Sequence, residues 1–276
     1  MNGLLRSLLI ICILTTLITG CSAPELPSLP DLPVELPDLS DLPGVPDVLR
    51  DLPGLLQDLG LPDLSGIANL PSLEDLPGLQ TPSGSIAYNG PTERRVNPGQ
   101  RIPGTDIVLS AVRDGKAEFQ IAGLRSERSQ GDSLDFDGEW PGVAGSTYTA
   151  RLRIYHIGAD HVRVAGVHRL LLTNIQPSAD GSQPAGFTLK FPFTVNVAAG
   201  ETIAGTTYGY VGMDERGGQL SGLPANDYPY RKGGDSISWT GHIRPDISAA
   251  YNIRMLYYSA EQAQVGGVVT LGLPGE

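Results

Sequence analysis

A chain of 276 residues with 30 acidic against 19 basic side chains carries a formal net charge of −11. That balance excludes a broad basic surface of the kind that holds nucleic acid, and no nucleic acid partner, metal or cofactor is expected. Only Cys12 and Cys21 carry thiols, too few for a disulfide framework.

The N-terminus reads as a targeting segment. Arg6 precedes a run from Leu8 to Ile18 that is apolar apart from Thr15, Thr16 and the thiol of Cys12. Such a run is too short to cross a hydrocarbon core about 30 Å thick, so residues 1–20 read as a signal peptide rather than a membrane span. The closing Ile18-Thr19-Gly20-Cys21 resembles the lipobox of bacterial lipoproteins. The resemblance implies diacylglycerol (palmitate and similar chains) on the Cys21 sulfur and cleavage just before it, often with acylation of the new amino group. It also implies a lipid-anchored protein on the extracytoplasmic face of the cell membrane, or in an outer membrane where the host has one. The bilayer is then the first expected partner. With Cys12 removed and Cys21 acylated, the mature domains hold no thiol.

Residues 21–84 are expected to form a disordered tether. Leu, Pro and Asp dominate it, and eleven acidic residues lie between Ser22 and Gln80 against Arg50 alone. Nearly all the excess negative charge of the chain sits there. Prolines every few residues forbid a long helix or an unbroken sheet ladder and favour polyproline II, with three residues per turn. The leucines keep that period: Leu26, Leu29, Leu32; Leu36, Leu39, Leu42; and Leu70, Leu73, Leu76, Leu79. Fully extended, the segment spans on the order of 180 Å. Two readings stand, an entropic spacer or a spacer whose leucine edge docks on a surface.

Residues 85–185 and 186–276 read as two copies of one β unit. Ile102-Pro103-Gly104-Thr105 matches Ile203-Ala204-Gly205-Thr206, and Gly131-Asp132-Ser133 matches Gly234-Asp235-Ser236, in the same order and at nearly constant offset. Stretches such as "YTARLRIYHI" and "VRVAGVHRLLLTNI" are rich in β-branched and aromatic residues. Leu152, Ile154 and His156 are expected on one face, with Arg151, Arg153 and Tyr155 on the other. The expected fold class is all-β, two tandem repeated antiparallel sandwich or barrel units. Whether they fold separately or share one sheet system is open. The basic side chains of the first unit are matched by as many acids, which again gives no basic patch.

Gly131-Asp132-Ser133-Leu134 spells the signature of the GDSL esterases and lipases, whose serine is the nucleophile. The resemblance ends at those four residues. The family is α/β and pairs its serine with a late Asp-x-x-His. Here the positions three before His156, His161, His168 and His242 hold Arg153, Gly158, Ala165 and Trp239. A serine without a positioned base is a weak nucleophile. The recurrence of Gly-Asp-Ser at 234–236 favours a turn into a strand, so no catalytic residue is assigned and no enzyme is expected. Asp132, Asp135, Asp137 and Glu139 offer oxygens to a cation but read better as a solvated acidic face.

The second copy is enlarged between its Gly-Leu and Gly-Asp-Ser by "PANDYPYRKGG", and seven of the ten tyrosines fall in it. Tyr228, Tyr230 and Trp239 are the candidate binding residues, because aromatic faces bury area while polar tips orient a ligand. The competing reading places these rings in the strand core. The expected function is binding or scaffolding at the cell envelope with a protein or glycan partner; the alternative is a structural subunit of an envelope complex.

Overall fold

The computed structural model describes Leu76 and residues 81–274; the segments expected to be a signal peptide and tether, Cys21 included, otherwise lie outside the described residues. In chain order the strands are β1 (Ile86–Val96), β2 (Val108–Arg113), β3 (Lys116–Ile121), β4 (Leu124–Arg128), β5 (Ser133–Gly138), β6 (Ser146–Ile157) and β7 (Val162–Leu172). They continue as β8 (Phe187–Ala198), β9 (Gly209–Asp214), β10 (Gly217–Ser221), β11 (Tyr230–Arg231), β12 (Ser236–Arg244), β13 (Ile247–Tyr258) and β14 (Gln262–Leu273). The described part is all-β and antiparallel. It forms four sheets, β1-β7-β6-β5, β8-β14-β13-β12, β2-β3-β4 and β9-β10-β11, none of them closed into a barrel. Among the described residues, no helix is long and apolar enough to cross a membrane.

Alternation makes the strands. Along β8, Leu189, Phe191, Phe193 and Val197 are buried while Thr188, Lys190, Pro192 and Thr194 face out. Along β6, Tyr148, Ala150, Leu152 and Ile154 turn inward. His156 does not follow them. The register against β7 shifts between Ile154 and His156, and His156 is exposed. A bulge inserts one residue and turns the next side chain to the other face, so the expected three-residue inward face stops at Ile154. Between Met255 and Tyr257 the pairing of β13 with β14 shifts in the same way.

One hydrophobic core draws on both four-stranded sheets. Their edge strands meet there. Phe191 of β8 stacks on His168 of β7 with centroids 4.6 Å apart and lies 5.6 Å from Tyr88 of β1. Tyr251 of β13 stands edge-on to Phe193 and Trp239. A Cβ on Gly90 would fall 2.7 Å from Pro192 Cδ, so the missing side chain at Gly90 is what lets the Pro192 ring of β8 pack against β1. Each of these edge strands carries a proline, Pro91 and Pro192.

The Tyr88 and Tyr251 hydroxyls form a buried hydrogen bond of 2.5 Å between the two sheets. Burial raises both phenol pKa values, so both rings stay neutral. Removing one hydroxyl strands the other in an apolar core, at a cost of about 1–3 kcal/mol, whereas removing both is close to neutral. Tyr251→Phe is therefore expected to lower unfolding free energy more than the double change with Tyr88→Phe. Denaturant melts of the three variants check this; additive losses would refute the shared bond.

Candidate functional site

The two Gly-Asp-Ser segments are built alike. Gly131 and Gly234 sit at φ +93° and +90°, a region that side chains other than glycine rarely adopt. Their N–H groups donate to Ile154 O and Met255 O, each at 2.7 Å. The Asp132 carboxylate accepts the Ser129 N–H at 2.8 Å, and Asp235 accepts that of Lys232 at 2.7 Å. Arg153 and Arg254 donate across to Gly131 O and Gly234 O. Ser133 and Ser236 open β5 and β12 as exposed residues opposite those arginines. In both places the tripeptide is a carboxylate-capped turn.

The histidines are engaged elsewhere. His161 bonds Asp160, and His156 lies beside it with centroids 5.6 Å apart. His242 bonds Asp180 at 2.7 Å. His168 is buried between Tyr148 and Phe191, and that burial lowers its pKa to about 3. Of the acidic cluster, Asp137 is held bidentately by Arg151, and Glu139 accepts the Gly145 N–H. Among the described residues, no group of three or more His, Cys, Asp or Glu is placed to hold a metal ion.

The enlarged segment builds a different surface. Leu220 N–H donates to Pro229 O, and β11 pairs with β10 through Gln219↔Tyr230 and Gly218↔Arg231. Arg231 clamps the loop by holding both Asp227 carboxylate oxygens at 2.9 Å and reaching Tyr228 O. Tyr228 is 59% exposed, while Tyr230 is only 8% exposed, and their centroids are 5.5 Å apart. Arg216, from the β9–β10 turn, places its guanidinium 3.8 Å from the Tyr230 centroid, a cation–π contact, and also touches the Tyr230 hydroxyl. Asp214 holds the same guanidinium, which lowers the Asp214 pKa through that hydrogen bond.

These residues enclose an open cleft of about 550 Å³ lined by Glu215, Arg216, Tyr228, Tyr230, Lys232 and Asp235. Two cations face two carboxylates, so the lining has no net charge. Asp235 is already committed to its turn. Chemically the cleft offers an exposed phenol face beside a pre-positioned guanidinium, an ammonium and the Glu215 carboxylate. That suits a polar ligand of low net charge that presents a flat face and hydroxyl or amide groups.

Trp239 is not brought to this cleft. It faces inward on β12, edge-on to Tyr251, and its indole N–H donates to Thr207 Oγ1 at 3.0 Å. Tyr208, Tyr210 and Tyr251 are also buried, so the core reading accounts for those rings. Arg216 and Glu215 had no distinguishing spacing in the sequence; they reach the tyrosines only because the β9–β10 hairpin sets its turn beside β11.

No family model, curated protein or solved structure matches the chain.

Proposed function

We propose that the protein is a membrane-anchored, extracytoplasmic lipoprotein whose duplicated β module binds a ligand at the cell envelope, and that it is not a hydrolase. The observation that carries the binding reading is the clamped loop, which holds an exposed Tyr228 over a cleft where Arg216 is already fixed on Tyr230. Preorganisation of that kind reduces the ordering cost of association. The anchor rests on the lipobox-like end of the signal segment at Cys21. Duplication is supported by the matching strand orders β1-β7-β6-β5 and β8-β14-β13-β12 and by the like-built turns at Asp132 and Asp235.

A structural subunit of an envelope complex is the second reading. Val211, Met213 and Tyr257 favour it, because each leaves about half of its surface exposed.

The test is capture of envelope proteins and glycans from detergent-solubilised membranes by the intact chain. Tyr228→Ala is expected to shift the melting temperature little, as exposed substitutions stay within about 0.5 kcal/mol. It is expected to weaken capture by about 2 kcal/mol, near thirtyfold. Arg216→Ala should weaken the same ligand. Unchanged capture by both variants would remove the cleft from the reading. The anchor has its own test: Cys21→Ser should release the protein from membranes and abolish an acyl mass on the N-terminal peptide, and retention without that mass would refute it.

A further inference from the structure

The outward face of β1-β7-β6-β5 is covered where nothing in its own sheet covers it. Thr149 on β6 and Val167 and Arg169 on β7 point away from the core, on the side opposite Ala150 and His168, yet all three are buried. The other four-stranded sheet gives the control. Val268 of β14 lies opposite Pro192 of β8, just as Val167 lies opposite Pro91 of β1. Val268 is 43% exposed and Val167 only 6%. On the other side Val167 faces Arg151 and Val268 faces Asn252, but the Arg151 guanidinium is turned away to Phe136 O and Asp137 of β5, so an element beyond the sheet lies on the first face.

That face has mixed chemistry. Val167 and Leu171 give it an apolar strip, and the buried Arg169 lies beside them on the same face. Asn89, which pairs with Arg169 across β1, has a buried amide oxygen with no hydrogen-bond partner. The occupant must therefore bring leucine-like side chains and a free N–H donor.

We propose that the last leucine run of the tether, Leu70, Leu73, Leu76 and Leu79, docks across this face. The chain enters the sheet at Ile86, on edge strand β1, a few residues after that run. Leu76 is itself buried at 2% exposure. Polyproline II leaves its backbone N–H groups unused, so they are available to Asn89. The dimensions agree: leucines three residues apart in that helix are about 9 Å apart, and β1 to β6 spans about 10 Å. The membrane-distal end of the tether is then part of the folded module, and only the preceding residues act as a spacer. This inference does not depend on the ligand cleft.

Thiol labelling tests it in the full chain carrying Cys12→Ser and Cys21→Ser, so that one introduced thiol reports. Val268→Cys should label as an open site, and Val167→Cys about tenfold or more slowly. Adding Leu73→Asp with Leu76→Asp should bring the Val167→Cys rate to that of Val268→Cys, while the cooperative melt and strand circular dichroism persist. Leu73→Ala with Leu76→Ala, a milder pair, should give a partial rise if the aspartate pair does not fold. Equal labelling of Val167→Cys and Val268→Cys in the parent chain would overturn the proposal. So would protection that survives both leucine pairs. Protection that survives them but falls on dilution would assign the face to a second copy of the chain, and would overturn it equally.

Discussion

Phe191→Ala is expected to destabilise the whole β module by about 3–5 kcal/mol and to leave a single unfolding transition. Its ring is fully buried and bridges the two four-stranded sheets, resting on Tyr88 of β1 and His168 of β7 while belonging to β8. Truncation removes contact area from both halves at once and leaves a void that stiff, paired strands cannot collapse into. Amide hydrogen exchange should show β6 and β13 losing protection together. If β13 keeps its protection while β6 loses it, the halves are independent units that merely touch.

The second large effect concerns acid. His168 stays neutral in the folded protein because burial holds its pKa near 3, against an ordinary value of 6.5. The unfolded chain takes up a proton below 6.5 and the folded chain does not, so stability is full above that value and declines as pH falls toward 3. Below 3 both states are protonated and this residue adds no further loss. Each unit in the window is worth up to about 1.4 kcal/mol, so several kcal/mol are at stake. Asp180, held near 2 by the Ser182 N–H and by His242, adds a loss only below the ordinary carboxylate range, which separates the two. His168→Gln should flatten the dependence between pH 6.5 and 4 in denaturant titrations. An unchanged slope would show that another group takes up the proton.

Much of the strand pattern was legible in the sequence, because period-two alternation is a local property. Leu152 and Ile154 face inward as their spacing requires. His156 departs because a bulge depends on the partner strand, which no window of β6 contains. The turn role of Gly131 and Asp132 was readable through its second occurrence at Gly234 and Asp235, a comparison internal to the chain. The candidate site was only half legible. A loop rich in Tyr, Asn and Asp singled out Tyr228 and Tyr230, but spacing alone does not say which ring lies in and which lies out; Tyr228 is exposed and Tyr230 buried. Trp239 went inward because β12 alternates there, and Arg216 joined the cleft through a hairpin contact across sequence. Long-range contacts of this kind leave no periodic trace.

The prolines on the two meeting edge strands also keep the two sheets distinct. A four-stranded antiparallel sheet ends in a row of donors and acceptors that can template another strand. At Pro91 and Pro192 the donor is missing, and a proline on an edge strand turns its nitrogen to the open side. The row is broken near the middle of β1 and of β8. Where β1 and β8 come together the two rows therefore cannot join into one continuous ladder, and the two sheets stay separate and meet through side chains instead.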